Sequence, residues 1–502
     1  MNQRNSGWDV DAEFQGATVL PPTPNYYEDP IATLDFASLY PSIMQAHNLC
    51  FSTLILDPPE KDNPALSSTT YDIGAQRCTF VNSETTKGIL PSILQHLLSA
   101  RKQAKKDMEA ATDPFEQQIY NSRQLALKVS ANSMYGFTGV QTNGMYSCLW
   151  VANTVTLTGR RMIDATKAFV EANFPGVQVV YGDTDSVMCR FSKTSPLLEG
   201  VPPEGIMNRV FEVAGEMSTR ASALFKAPNK LEFEKVYYPY LLIGKKNYVG
   251  MKYEGNPSNP PKMDAKGIET VRRDKIAILR GTLKDILYKS LQQKDYDGAY
   301  GLLRDMVRKF VTGSITVEDV VTSKSLKSEY KSDMQPQLQV VRKMVARKAF
   351  GVPRVGDRVP FVILENSGEP NMSLRAEHPD YVKRHGLPLD RLYYLELVEK
   401  ALVRVLYYLP MPSVEALFHQ AKAELQRLKL RIHDVTLFLT VAEEAKSEIC
   451  SALSAPNIDK PTFKRKLEVC KQTTLTGTTS VKKAKKQNKK VVQQGTLLQF
   501  LD

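Results

Sequence analysis

Hydrophobic positions along the chain fall into two rhythms, one with a period of two and one with a period near 3.6. Residues Ile31 to Ala37 alternate as a strand, with Asp35 near its end and a turn into a helix around Pro41. Residues 57 to 82 carry prolines, polar residues and short β-prone pieces, and are predicted to be a connection. Leu90, Ile93, Leu94, Leu97 and Leu98 then recur at helical spacing and run into a basic stretch, Arg101 to Lys106. Asp113 before Pro114 has the chemistry of an N-cap and first helical residue, opening a second helix to about Met134. The two helices are expected to pack as an antiparallel hairpin. A third helix, roughly Val151 to Phe174, leads into two apolar runs, Val177 to Val180 and Val187 to Arg190. Between those runs lies Tyr181-Gly182-Asp183-Thr184-Asp185-Ser186, the tip of a predicted β-hairpin. Leu231 to Gly250 again alternates like strands. From about Gly267 the pattern is predicted to become helical and stay so, over Ile276 to Gln293, Gly298 to Thr312, Leu395 to Leu409 and Ser413 to Lys429.

Length and composition narrow the class. At 502 residues, 42% hydrophobic and 24% charged, the chain has the make-up of a soluble globular protein with core enough for several domains. The N-terminus has no signal-peptide pattern, and no apolar run reaches transmembrane length, so no membrane partner is expected. Six cysteines without a C-x-x-C pair argue against a disulfide framework, and no zinc or iron–sulfur cluster is expected. The net charge is +12, and residues 471–502, with seven lysines and one aspartate, carry half of it. The tail is thus a separate, disordered basic segment, and the body is only mildly basic. Residues 1–30 are polar and Pro-rich and read as a strap or linker.

Two carboxylates one residue apart in a tight turn repel each other unless a cation lies between them, which makes a divalent metal the natural third party for Asp183 and Asp185. Asp35 on a separate strand could supply a further ligand. Arg101 and Lys105 share one helix face, and Lys128, Asn132 and Tyr135 another, so a hairpin that brings these faces together makes a cationic slot for a triphosphate. Two Mg²⁺ ions held by such acids neutralise charge at the attacking oxygen, the phosphorus and the leaving group. Another two-metal enzyme, such as a nuclease or reverse transcriptase, shares the acidic hairpin. A non-catalytic module that grips primer-template DNA is the other alternative.

Three ordered segments carry a resemblance. Asp35 to Ile43 (DFASLYPSI), Lys128 to Gly136 (KVSANSMYG) and Tyr181 to Ser186 (YGDTDS) are similar to motifs A, B and C of the family B DNA polymerases, in their delta-type form. Leu231 to Tyr237 and Met263 to Asp274 resemble delta-type segments as well, and the likeness extends over roughly residues 14 to 440. It implies an α+β right-hand architecture, with an antiparallel-sheet palm (1–89 and 140–266), helical-hairpin fingers (90–139), a mostly helical thumb (267–465) and a basic tail (466–502). Asp35 and Asp185 would ligate both Mg²⁺ ions with help from the Phe36 carbonyl, and Asp183 would support them. Ser38 and Leu39 would touch the deoxynucleoside triphosphate through backbone amides. Arg101, Lys105, Lys128 and Asn132 would bind it from the fingers. Tyr40 would lie under the deoxyribose, and Tyr135 and Gly136 would border the nascent base pair. Lys245, Lys246, Tyr248, Lys266, Arg272 and Arg273 would contact primer-template DNA.

The sequence also departs from that pattern. Asn247 stands where the family motif Lys-Lys-Arg-Tyr has arginine, which removes a guanidinium. Only Cys450 and Cys470 occur where delta-type chains have cysteine-rich metal sites. The chain begins a few dozen residues before Asp35, so it is expected to lack the family's 3′ to 5′ exonuclease domain and not to proofread. A separate chain is a candidate source of that half. Lys482 to Lys490 fits a nuclear import signal, a nucleic-acid patch or a solvated run, which composition does not separate, and nuclear localisation is expected. Gln494, Leu497, Phe500 and Leu501 resemble a box that binds the sliding clamp, with Leu501 in place of the second aromatic.

Overall fold

A computed structural model describes residues 16–17, 19–55, 67–73, 76–140, 146–268, 275–365 and 368–429. The chain divides into two compact units, Met1–Ile268 and Glu269–Asp502. The arrangement is α+β, with mixed helix and antiparallel sheet.

The first unit is built on an eight-stranded sheet. Its strands are β1 (Val19–Leu20), β2 (Asn25–Tyr27), β3 (Ile31–Phe36), β7 (Val177–Asp183), β8 (Ser186–Phe191), β9 (Leu231–Gly244), β10 (Asn247–Glu254) and β11 (Lys262–Lys266). The order is β1-β7-β8-β3-β9-β10-β11, with β2 added on β9, and every pairing is antiparallel. The Pro-rich start therefore contributes strands as well as a strap. Within the predicted connection lie β5 (Ser68–Ile73) and β6 (Gln76–Val81), which join β4 (Leu54–Ile55) just before it in a second small sheet of order β4-β6-β5. The prolines of that region cluster before residue 65, which leaves the alternating stretch after it free to pair.

Helices α1 (Leu39–Ala46), α2 (Ile89–Ala110), α3 (Pro114–Thr138), α4 (Leu149–Asn173) and α5 (Ile206–Ser222) complete the unit. Pro41 falls in the first turn of α1, where its missing N–H costs nothing. Asp113 caps α3 by accepting the Phe115 N–H at 3.2 Å, as its sequence chemistry predicts. Helix α5 was not among the predicted elements. Its buried Val210, Val213, Ala214, Met217 and Ala221 recur at helical spacing, a signal the sequence did contain.

The pleat sorts the sheet into two faces. Ala32, Leu34, Phe36, Val187, Cys189 and Phe191 join α1, α4 and α5 in the main core. Ile31, Met188, Tyr27, Tyr181, Tyr237, Tyr240 and Tyr248 form a second cluster. Alternation along β3 puts Asp35 on the side of Ile31, opposite Leu34 and Phe36. The acidic end of the sheet thus belongs to the tyrosine-bearing face.

The second unit contains α6 (Ala277–Tyr288), continued by a π turn at Lys289–Gln293, α7 (Tyr296–Thr312), α8 (Val317–Val320), α9 (Pro336–Ala346), α10 (Pro379–His385) and α11 (Arg391–Leu406). Residues 414–429 are also helical. The expectation of unbroken helix is corrected here by a three-stranded sheet, β12 (Thr322–Ser325), β13 (Arg358–Ile363) and β14 (Ala376–Glu377). The run Val359 to Ile363 is short, apolar and β-branched, a pattern that suits a buried strand better than a helix.

One glycine controls a contact near the acidic end. Gly267 has φ +71°, and a Cβ there would lie 2.0 Å from the Lys246 carbonyl oxygen. Gly267→Ala is expected to destabilise the protein by about 1–3 kcal/mol or more, from the left-handed backbone before any clash is counted. Denaturant midpoints of the two proteins measure it.

Candidate active site

Three strands bring the acids together. Asp35 is the Cα partner of Ser186, and Ser186 that of Asp183, so strand β8 lies directly between the two aspartates. Thr184 takes φ +58° at the tip between β7 and β8, and the Phe36 N–H donates to the Asp185 carbonyl at 2.8 Å. Backbone pairing alone therefore holds the end of β3 against the turn. Gly182 leaves room beside it for Leu20, whose Cδ1 would lie 2.7 Å from a Cβ and would have to move aside.

The electrostatics follow from that crowding. Burial, then the charges of Asp185 and Glu234, push the Asp35 carboxyl up to about 7 against the opposing charges of Lys235 and Lys128. Asp185 is also raised, first by burial, against its own backbone hydrogen bond, with Asp183 adding and Lys246 and Lys128 opposing. Asp35 Oδ1 is buried without a hydrogen-bond partner. A hard cation satisfies both conditions, since it neutralises the pair and coordinates the orphaned oxygen. Asp183 is differently employed, with its Oδ1 accepting from Lys246 Nζ at 2.6 Å. Among the described residues no group of three or more His, Cys, Asp or Glu forms a ready-made metal cage. The fit to magnesium rests on the Asp35–Asp185 pair.

Several predicted nucleotide-binding residues lie around this pair. Ser38, in left-handed backbone at φ 54°, caps α1, and its hydroxyl accepts from Arg101 Nη1 at 3.1 Å. That contact ties α2 to the start of α1, where Leu39 begins the helix and its first N–H groups lack intrahelical partners. Burial lowers the Arg101 pKa, opposed by Glu232. Tyr40 packs on Tyr135 with ring centroids 4.4 Å apart, and a Cβ at Gly159 would come within 3.3 Å of its ring. Burial, then Asp185, raises its hydroxyl pKa, so the ring lies within electrostatic reach of the acids. Lys105, Lys128, Asn132 and Gly136 are exposed, and of these Lys128 reaches the acids by its charge.

Lys245 and Lys246 occupy the exposed turn between β9 and β10, and Lys266 lies opposite Tyr248 on β11. Tyr248 itself is only 6% exposed and packs against Tyr181, Tyr237 and Tyr240, so its ring supports the turn from below. The Asn247 Oδ1 is buried without a partner. Arg272 and Arg273 lie outside the described residues, as do Cys450, Cys470, the basic tail and Gln494, Leu497, Phe500 and Leu501. Sequence reasoning did not assign Glu234 and Lys235 to the site. The available signal was their alternation on the strand that pairs with β3.

The family model of DNA polymerase family B matches residues 1–409. The chain belongs to this family. It is 41% identical over 406 residues to a DNA polymerase delta catalytic subunit of Drosophila melanogaster, covering 79% of this chain and 36% of that protein. Likeness to the delta catalytic subunits of Schizosaccharomyces pombe (40% over 420 residues, 82% and 37%) and Mesocricetus auratus (40% over 404 residues, 78% and 35%) is similar. This family B chain thus spans just over a third of the length of those curated relatives. Among its described residues no helix is long and apolar enough to cross a membrane.

The raised Asp35 has a sign that can be checked. Its folded pKa of about 7 lies above the ordinary 3.8, so the folded state binds the proton more tightly, and stability falls as pH rises between those values. In EDTA at pH 8, Asp35→Asn is expected to melt at higher temperature than the wild type. The gain is about 1–3 kcal/mol after solvent screening, and it shrinks as pH falls towards 5. Adding Mg²⁺ is expected to raise the wild-type melting temperature more than that of the variant. Thermal melts with and without metal test both statements.

Proposed function

We propose that this chain is the polymerase portion of a template-directed DNA polymerase, joining deoxynucleotides to a primer 3′-hydroxyl during nuclear DNA replication. The observation that carries the reading is the meeting of Asp35 and Asp185, two part-buried carboxylates with raised proton affinity, that of Asp35 raised in part by Asp185, and with one Asp35 oxygen lacking any hydrogen-bond partner. Family membership and the match to delta catalytic subunits support it.

In this reading residues 1–89 and 140–266 are the palm, 90–139 the fingers and 267–465 the thumb. Asp35 and Asp185, with the Phe36 carbonyl, hold two Mg²⁺ ions. When bound, these ions supply charge neutralisation at the 3′-oxygen, the α-phosphate and the leaving pyrophosphate. The protein's own groups do the positioning. Arg101, Lys105, Lys128 and Asn132 grip the triphosphate, with Arg101 already oriented by Ser38. Backbone N–H groups of Ser38 and Leu39 bind it from the start of α1. The Tyr40 ring, packed on Tyr135 and backed by Gly159, fills the space a 2′-hydroxyl needs. Tyr135 and Gly136 border the new base pair.

Lys245, Lys246, Lys266, Arg272 and Arg273 bind primer-template phosphates without reading sequence, so affinity falls with salt. The sliding clamp docks on Gln494, Leu497, Phe500 and Leu501.

The test is primer extension with the 502-residue chain, deoxynucleotides and Mg²⁺. Extension is expected for the wild type, and Asp185→Asn is expected to lose at least about 10²–10³-fold in rate. Undiminished extension by Asp185→Asn, or none by the wild type under any metal, contradicts the reading.

A further inference from the structure

Beneath the acidic turn lies a fully buried hydroxyl that the chemistry above does not use. Tyr181 Oη accepts the Lys246 N–H at 2.7 Å, and its ring meets Tyr248 edge-on with centroids 6.2 Å apart. Lys246, at φ +55°, sits at the tip of the β9–β10 turn, and Thr184 at the tip of the β7–β8 turn. Strands β7 and β10 are not neighbours in the sheet. Two contacts join the turns nonetheless, the buried Tyr181 hydroxyl on the Lys246 backbone and the Lys246 ammonium on Asp183.

The two contacts differ in kind. The Lys246 side chain is 62% exposed, so its ion pair is in water and can exchange for another anion at small cost. The backbone contact is part-buried, against a Tyr181 side chain that is fully enclosed, and losing it leaves the Lys246 N–H without its protein partner. Gly267 closes the turn from the carbonyl side, leaving no room for a Cβ against Lys246 O. The backbone of Lys246 is therefore bonded at its N–H and closely approached at its C=O, while its ammonium is held only by an exposed ion pair.

We propose that Tyr181 is a positioning residue for DNA binding, fixing the Lys246 backbone so that the ammonium can leave Asp183 for a phosphate of the primer strand. Asp183 is then the resting counter-charge of Lys246. This rests on the polymerase reading, which places the primer strand at Lys246.

Equilibrium binding of a fluorescent primer-template hairpin tests it apart from catalysis, using the full chain with Tyr181→Phe, Lys246→Ala and the double variant. Tyr181→Phe is expected to weaken binding by about three- to tenfold, with a smaller loss in kcat at saturating DNA. Lys246→Ala is expected to weaken binding and to lower the slope of log affinity against log salt by about one. In the Lys246→Ala background, Tyr181→Phe is expected to cost less than about twofold more, because its effect passes through the missing ammonium. Gly267→Ala, which displaces the same backbone from its other side, is expected to show the same coupling to Lys246→Ala. An equal loss from Tyr181→Phe in both backgrounds, or none in the wild type, overturns the proposal. Absence of extension by a wild-type chain that binds DNA and shows the coupling counts against the polymerase reading alone. A wild-type chain that binds no primer-template overturns both.

Discussion

The structure depends on forcing two carboxylates together at the end of a sheet that would otherwise keep them apart. Asp35 lies near the end of strand β3 and Asp185 lies in the β7–β8 turn, far away in sequence, and the Phe36 N–H to Asp185 carbonyl bond ties the turn to the strand. Their charges are costly in that part-buried position, which is why both are displaced towards the protonated form. Such an arrangement persists in a folded chain only when the surrounding packing over-determines it. Here helices α1, α4 and α5 brace one face of the sheet, and five buried tyrosines brace the other.

Around that repulsion the neighbouring groups are arranged by sign. Lys128 counters both acids from the helical hairpin, and Lys235 counters Asp35 from within the sheet. Lys246 is bonded to Asp183, which takes that carboxylate out of the competition for a cation. Arg101 is held at the cap of α1 by Ser38, close to the N–H groups of that helix. Cationic groups and the carboxylate pair thus occupy separate places, a division suited to phosphoryl transfer.

Much of this was legible in the sequence, for physical reasons. The periodic stretches that became β3, α2, α3, α4 and the β7–β8 hairpin are long, strongly patterned or bounded by clear caps such as Asp113-Pro114. The motif residues Asp35 and Asp185 converge through strand pairing, and Arg101 meets Ser38 through a side-chain hydrogen bond between α2 and the start of α1. Sheet β12-β13-β14 was missed, since Val359 to Ile363 is too short for its period to separate strand from helix and only its β-branched make-up favours the strand. The burial of Tyr248 was hidden too. Alternation shows which face a side chain takes, but a tyrosine beside two lysines looks exposed until the opposite strand covers it. The link from Tyr181 to Lys246 joins strands that do not pair, and no local pattern encodes such a contact.

A ternary complex of the chain with a dideoxy-terminated primer-template, an incoming deoxynucleotide and Mn²⁺ in place of Mg²⁺ tests the central claim most directly, by anomalous scattering from the metal. Manganese peaks bonded to carboxylate oxygens of both Asp35 and Asp185 are expected, with Asp183 outside the coordination sphere. Manganese bound elsewhere, or held by Asp183 without Asp35, contradicts the role assigned to the pair.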